Sequence, residues 1–270
     1  MKAMKVVRIQ GGLGNQLFGL AFARSVALIG GGPVGLDLTS YGADAYGRRF
    51  LLAEFADDLG LFQQVERPWL GSRPRRLLGR LAPTPAYVSE GEAPTSADAL
   101  AAMISRGSYF DGYWQNQAYI HDFAGFRAAV AGLIRSKSSR QEVCDVVIHY
   151  RTYKEERRPT ARLVPASAYF RDALARIAEG GHDASSAVLI SDDLSLARER
   201  LGDIGATMRT VAAATAWDDL SLMLEARALI LTNSSFSWWG GACAETATVF
   251  YPRAQGFTHY ATPARQFICL

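Results

Sequence analysis

Ala228-Leu-Ile-Leu-Thr232 is an unbroken apolar run, too short to be a helix, and it ends in Asn233-Ser234-Ser235 before Phe236-Ser-Trp-Trp-Gly240 begins. A short buried strand that empties through a tight polar turn into a helix is a unit of an α/β sheet. The residues before it agree, because Leu220, Met223, Leu224 and Arg227 fall at helical spacing. Trp238 and Trp239 are then expected to pack the second helix against the sheet. Ligands in such sheets sit at the carboxyl ends of strands, beside helix N-termini. Serine hydroxyls and backbone N–H groups at that place suit a phosphate. A serine there also serves as a plain helix N-cap, and the turn by itself does not separate the two roles.

The same rhythm runs along the chain. Met4 to Gln10 alternates and is β-branched, predicting a first strand; Gly11-Gly12-Leu13-Gly14-Asn15-Gln16 turns it into an apolar helix from Leu17 to Ile29. Further strands are predicted at Val34–Leu38 and Ser108–Trp114, with a helix from Gln117 to Ile134 and an irregular region from Arg48 to Thr95. Ser136 to Glu142 is short, polar and Ser-rich, the best linker in the chain. Beyond it, strands at Val143–His149, Ala187–Ser191, Met208–Ala212 and Thr248–Tyr251 alternate with helices at Ser167–Glu179 and Leu194–Leu201, the latter capped by Asp192 or Asp193. Alternating strands and helices imply parallel sheets covered on both faces. The expected fold is α/β, with two Rossmann-like domains facing across a cleft. The first spans 1–138 and the second 139–252, and a tail from 253 to 270 crosses back to the first. The glycine turn is not G-x-G-x-x-G and no acidic residue follows at the ribose position, so a dinucleotide site is not implied.

Composition removes several classes. A net charge of +3 with a pI near 8.8 and no basic-aromatic RNA motif gives no case for nucleic acid. Cys144, Cys243 and Cys269 are scattered without metal-ligand spacing or a disulfide framework, which fits a reducing compartment. The N-terminus runs straight into a strand, so no signal peptide is expected, and no apolar run is long enough to span a bilayer. Arg67, Arg73, Arg75, Arg76 and Arg80 cluster with Trp69, Leu70, Leu77, Leu78 and Leu81. That segment reads either as a peripheral contact with an anionic membrane surface or as a solvated face with a small apolar seam.

Three stretches carry a family resemblance. GGLGNQLFGLAFA resembles the opening motif G-G-L-G-N-Q-L/M-F of the α-1,2-fucosyltransferases, glycosyltransferase family 11. Asp219-Leu-Ser-Leu-Met223 with Asn233-Ser-Ser-Phe-Ser-Trp-Trp239 resembles that family's D-x-x-L-M followed by N-S-S/T-F/Y-S-W-W. His149-Tyr-Arg-Thr-Tyr-Lys-Glu155 resembles its H-x-R-R-G-D-Y, keeping His149 and Arg151 but placing Thr152 at the second arginine and Lys154 at the acid. Phe110 to Asn116 is similar to a further segment, F-x-G-Y-F/W-Q, so Tyr113, Trp114 and Gln115 become candidates to line a sugar site, alongside core packing for at least one ring.

The resemblance implies a GT-B-like fold and a GDP-fucose donor site in the second domain, with the first on the acceptor side. In the wider superfamily it assigns His149 to the guanine, Asp219 to the guanine N1 and N2 donors, and Arg151 to the β-phosphate. Ser235 and the Phe236 N–H go to the same phosphate, beside Ser234. Gly12, Asn15 and Gln16 of the opening motif join the donor-binding set, and Lys154 adds charge at the phosphates. The implied reaction is inverting transfer of L-fucose to a hydroxyl, the galactose 2-OH, of a bacterial cell-surface glycan that is itself carried on a lipid. No metal or other cofactor is expected. Asp192-Asp193 and Asp218-Asp219 are adjacent pairs rather than a D-x-D, and capping explains one member of each. The expected location is cytoplasmic, peripheral at the inner membrane. Candidates for the general base are Glu155 and Glu156, with Asp37 and Asp111 as outsiders. The changed Thr152 and Lys154 leave open two alternatives: a transferase of another GDP-deoxysugar, and a non-catalytic sugar- or nucleotide-binding protein.

Overall fold

The computed structural model describes residues 4–44, 46–60, 62–65, 87–140, 143–153, 166–211, 215–253 and 267–270. The chain divides into two compact units, Met1–Phe126 and Arg127–Leu270.

In the first unit five parallel strands form one sheet in the order β3-β2-β1-β5-β4: β1 (Lys5–Arg8), β2 (Val34–Asp37), β3 (Phe62–Val65), β4 (Tyr87–Ser89) and β5 (Tyr109–Asp111). Helices α1 (Leu13–Gly30), α2 (Ala53–Asp58) and α3 (Ala97–Arg106) connect them. Gly11, at φ +82°, makes the sharp exit from β1 that lets α1 begin two residues later. Helix α1 starts four residues before the predicted one, and its face packs on Phe18, Leu20, Phe22 and Val26, all fully buried.

Region 48–95 is less irregular than its sequence suggests, since α2, β3 and β4 lie within it. These elements are three to six residues long, too short for a hydrophobic period to show. The helix predicted over 117–134 is broken. Asn116 accepts from the Ala118 N–H and turns Gln117–Tyr119 into a single tight turn, and Asp122 then accepts from the Gly125 N–H as a new helix, α4 (Phe123–Lys137), begins.

The division between the units falls inside α4, earlier than the linker at 136–142. From Arg127 onward α4 is tied to the second unit. Arg127 pairs with Glu245, Arg135 pairs with Glu225, and the Ser138 hydroxyl donates to Asp218 at 3.0 Å. Residues 141 and 142 of the linker lie outside the described residues.

The second unit holds six parallel strands in the order β11-β10-β9-β6-β7-β8. They are β6 (Val146–Tyr150), β7 (Val188–Ser191), β8 (Arg209–Thr210), β9 (Ala228–Leu231), β10 (Thr248–Tyr251) and β11 (Phe267–Cys269). Counted within the unit this is the doubly wound order 3-2-1-4-5-6. The connecting helices are α5 (Ser167–Glu179), α6 (Leu194–Leu201), α7 (Asp203–Thr207), α8 (Ala216–Glu225) and α9 (Ser235–Cys243). Every residue of the central strands β6 and β9 is buried, as strands covered on both faces require. On one side Phe170, Ala173, Ile177, Ala197 and Leu201 pack on Val146, Ile148 and Ile230.

Of the expected tail, residues 254–266 lie outside the described residues, and its end is placed on the second sheet. Phe267–Cys269 pairs in parallel with β10 as the outer strand of the second sheet, and the Leu270 N–H donates to Tyr251 O. An apolar Phe-Ile-Cys run gains more by covering a sheet edge than by staying in water.

Candidate functional site

Strands β6 and β9 are neighbours, with His149 beside Leu231 in register. The chain leaves β6 toward β7 on one side, while β9 leads to β10 on the other. A doubly wound sheet opens a crevice at this point, beyond the carboxyl ends of the two strands. The segments Arg151–Tyr153 and Thr232–Ser235 therefore emerge at the same end of the sheet. They are stitched together there. The Arg151 N–H donates to Thr232 Oγ1 at 2.8 Å, and the Thr232 N–H and hydroxyl both donate to His149 O at 3.2 Å.

Helix α9 begins on this seam. Ser234 is its N-cap residue, extended at φ −149°, and its side chain makes no capping bond. Ser234, Ser235 and Phe236 are half-buried, whereas Ser237 to Gly240 are buried. The N–H groups of a helix's first turn have no intrahelical acceptor, and the aligned dipoles favour an anion in front of them. The helix is held from behind. The Ser237 hydroxyl bonds back toward Thr232 O and Ser234 O, and Trp238 and Trp239 are fully buried, edge to face at 5.1 Å. A Cβ at Gly240 would stand 2.7 Å from the Met223 sulfur of α8, so only glycine lets α8 and α9 approach this closely.

His149 is 6% exposed, and its ring lies 5.4 Å from that of Phe236 at a tilt of 42°. Its Nδ1 is buried with no hydrogen-bond partner among the described residues. Burial holds its pKa down at about 4, with Asp192 opposing the shift and Arg151 adding to it. The imidazole is therefore neutral near pH 7 and suits a hydrogen bond to a base more than a charge pair with a phosphate.

The adjacent aspartate pairs divide their work. Asp193 caps α6 by accepting from the Leu196 N–H at 3.1 Å. Asp218 closes a capping box with Thr215 on α8 and also accepts from Ser138 and the Ser139 N–H. Burial pushes the Asp218 carboxyl up, but those bonds outweigh it and leave it below the usual range. The other two members are not caps. Asp192 forms an ion pair with Arg151 at 2.9 Å and accepts from both the N–H and the hydroxyl of Thr152. Asp219 keeps a buried Oδ1 with no partner among the described residues. Burial pushes it up to about 6, with Arg140 opposing and Asp218 reinforcing. An orphaned carboxylate oxygen and an orphaned imidazole nitrogen are each costly unless a ligand satisfies them.

The structure thus brings His149, Arg151, Ser234, Ser235 and Phe236 to one end of the second sheet, with Asp219 on α8, the helix packed against α9. Lys154, Glu155 and Glu156 lie outside the described residues, as do Arg67, Arg73, Arg75, Arg76 and Arg80. Sequence reasoning missed Thr232, hidden as the last residue of an apolar run. It also missed the role of Asp192, although allotting one cap to each aspartate pair left the other member to be explained.

Gly12, Asn15 and Gln16 belong to the first unit. Gly12 is the N-cap residue of α1, and Asn15 accepts from Gln115 at 2.6 Å. Gln16 is held within its own unit. It is 1% exposed, its amide N–H groups go to Gly11 O and Arg49 O, and its Oε1 accepts from the Leu51 N–H. Asp37 and Asp111, the outsiders among the candidate bases, lie in the same unit. Asp37 accepts from Thr39 and the Tyr109 hydroxyl, and Asp111 from Arg8 and the Tyr87 hydroxyl. Both are buried. Trp114 is a core residue, stacked on Phe22 at 4.0 Å, which leaves Tyr113, 42% exposed, as the open ring of that segment.

Among the described residues no three His, Cys, Asp or Glu side chains gather as a metal site, and no helix is long and apolar enough to cross a membrane.

Two parallel α/β units, the second with a doubly wound order and a serine turn opening a helix at its switch point, define a GT-B-like fold. E. coli heptosyltransferase WaaC, solved with ADP, shares that fold at 10% identity and a TM-score of 0.50, over 98% of this chain and 92% of that one. Weaker likenesses reach an Arabidopsis thaliana FUT1 mutant in complex with GDP (12% identity, TM-score 0.47, 93% of this chain and 70% of that one) and the α-1,6-fucosyltransferase NodZ soaked with GDP-fucose (13%, 0.44, 92% and 94%). NodZ has also been solved from Bradyrhizobium. No curated protein sequence matches the chain. Residues 96–253, more than half of the chain, match the family model described as glycosyl transferase family 11, and the chain belongs to that family.

Proposed function

We propose that the protein is an inverting, metal-independent glycosyltransferase that moves L-fucose from GDP-fucose to a hydroxyl, the galactose 2-OH, of a bacterial cell-surface glycan. One observation carries the reading. Arg151 and the start of α9, from separate strands, meet at the switch point of the second sheet through the Arg151–Thr232 hydrogen bond. In the transfer, the acceptor hydroxyl attacks the anomeric carbon and the C–O bond to the β-phosphate breaks. Negative charge builds on the departing diphosphate. A fixed guanidinium and the N–H groups of a helix start stabilise that charge without having to reorganise. His149 and Asp219, with their unpartnered buried atoms, are assigned to the guanine. Lys154 is assigned to the phosphates, and Glu155 or Glu156 to the acceptor proton, both on sequence position alone. The enzyme would work on the cytoplasmic side of the inner membrane, on a lipid-carried acceptor met through the arginines of 67–80.

The test is transfer itself. GDP-fucose and a galactose-terminated acceptor should yield GDP and a fucosylated product in the presence of a chelator. Absence of both GDP release and product across galactosides overturns the reading. Thr152 favours one second reading, another GDP-deoxysugar, because the position of the motif's second arginine is occupied by a fully buried threonine bound to Asp192. A panel of GDP-sugars with free acceptor distinguishes the two.

A further inference from the structure

Asp192 follows β7, and its carboxylate is shared among three donors of the loop that leaves the neighbouring strand, β6. Oδ2 receives Arg151 Nη1 at 2.9 Å and Thr152 Oγ1 at 2.9 Å, and Oδ1 receives the Thr152 N–H at 2.7 Å. The Asp192 side chain is 17% exposed and that of Arg151 25% exposed. The loop is fixed from other directions too. Arg200 donates to Thr152 O at 2.8 Å, and the Ser191 hydroxyl donates to Tyr150 O at 2.7 Å. Tyr153 sits at φ +56°, a left-handed conformation unusual for a bulky residue, with the Arg151 guanidinium 5.7 Å over its ring. In the family motif this position is a glycine and the next an acid; here they are Tyr153 and Lys154. Strain of this kind persists only where the surroundings hold it in place.

We propose that Asp192 is the positioning residue for Arg151: a carboxylate supplied from the end of β7 clamps Thr152 and aims the guanidinium at the diphosphate of the donor. The inference rests on the reading of Arg151 as the diphosphate ligand. Arg151 has several rotatable bonds, and aiming it before the ligand arrives removes that ordering cost from binding. Thr152 serves the clamp rather than the ligand. Its side chain is fully buried, so the residue at the motif's second arginine faces inward.

The experiment compares the affinities for GDP and GMP, by titration calorimetry, of the wild type, Asp192→Asn, Thr152→Val, Arg151→Ala and the Arg151→Ala/Asp192→Asn double variant. GMP lacks the β-phosphate, so the GDP-to-GMP affinity ratio reads contact with that group; a merely structural defect weakens both nucleotides alike. Asp192→Asn should lower the ratio about tenfold, the scale of one misdirected charge-assisted hydrogen bond. Thr152→Val should lower it about twofold to threefold through the loss of one of the clamp's bonds. The double variant should fall no further than Arg151→Ala alone. A ratio unchanged or raised in Asp192→Asn, while Arg151→Ala collapses it, overturns the proposal: Asp192 would then be a neutralising charge, and the reading of Arg151 would stand. An unchanged ratio in Arg151→Ala overturns that reading instead. If Asp192→Asn does not fold, Thr152→Val decides on the same ratio, with an unchanged value counting against the clamp.

Discussion

The backbone N–H of Arg151 is bound by the side-chain oxygen of Thr232 at 2.8 Å, so the cation of one strand is placed by the last buried hydroxyl of its neighbour. Thr232 is fully buried and also donates to His149 O. Thr232→Val keeps the shape but leaves the Arg151 N–H and His149 O without this partner. Denaturant unfolding should show a loss of about 1–3 kcal/mol. Thr232→Ser should recover most of it. Equal stability of valine and serine variants would mean the bond does not organise the seam.

Asp219 gives a pH signature. With its carboxyl pushed up to about 6, it is protonated in the free protein at lower pH and cannot accept two guanine N–H groups. Guanosine isolates the effect because it carries no titrating phosphate. Its affinity should be level above pH 7 and about tenfold weaker at pH 5. Asp219→Asn should be weaker at pH 7 and flat across the range. A wild-type profile flat from pH 5 to 7 contradicts the assignment.

His149 and Asp219 pull stability in opposite directions. The imidazole falls from 6.5 unfolded to about 4 folded, so the unfolded chain binds more protons between those values. Its contribution is present above pH 6.5 and lost as pH falls through 4. Asp219 rises from 3.8 to about 6, so its contribution is present below 3.8 and lost as pH rises through 6. The two nearly cancel in the wild type. In His149→Asn only the second remains, and the variant should gain about 3 kcal/mol on the wild type between pH 7 and pH 4. Thermal melts at both pH values check this; a constant difference contradicts it.

Gly240→Ala sets two effects against each other. Alanine favours a helix over glycine by up to about 1 kcal/mol. The added Cβ, however, meets the Met223 sulfur at 2.7 Å and Met223 Cβ at 3.0 Å, and overpacking of this kind costs about 1–3 kcal/mol. Because Met223 Cβ is fixed to α8, the clash should win. The variant should unfold earlier and, with the start of α9 displaced, bind GDP more weakly. A stabilised variant would show that the helices can separate freely.

How much of this was legible in the sequence follows from element length and from partners. Ser167–Glu179 and Leu194–Leu201 are read directly, because their helical period is long enough to stand alone, and Thr248–Tyr251 because it is a largely apolar run, which Phe62–Val65 with its two glutamines is not. The four-residue β3 and three-residue β4 are not, since pairing across the sheet rather than local pattern makes them strands. The motif was enough to expect His149, Arg151 and Ser235 at neighbouring strand ends, where they lie. The spending of Gln16 on Arg49 and Leu51 was not legible, because those partners are more than thirty residues away. Asp192 was half legible: two aspartates follow β7, one caps, and only the fold shows that the other faces Arg151.

The central claim is that Arg151 holds the diphosphate of a guanine nucleotide at the switch point of the second sheet. Calorimetric titration of GDP into the wild type and a cooperatively folded Arg151→Ala tests it most directly. The account predicts saturable binding by the wild type and a loss of at least about tenfold in the variant. No binding by the wild type, or equal binding by both proteins, would contradict it.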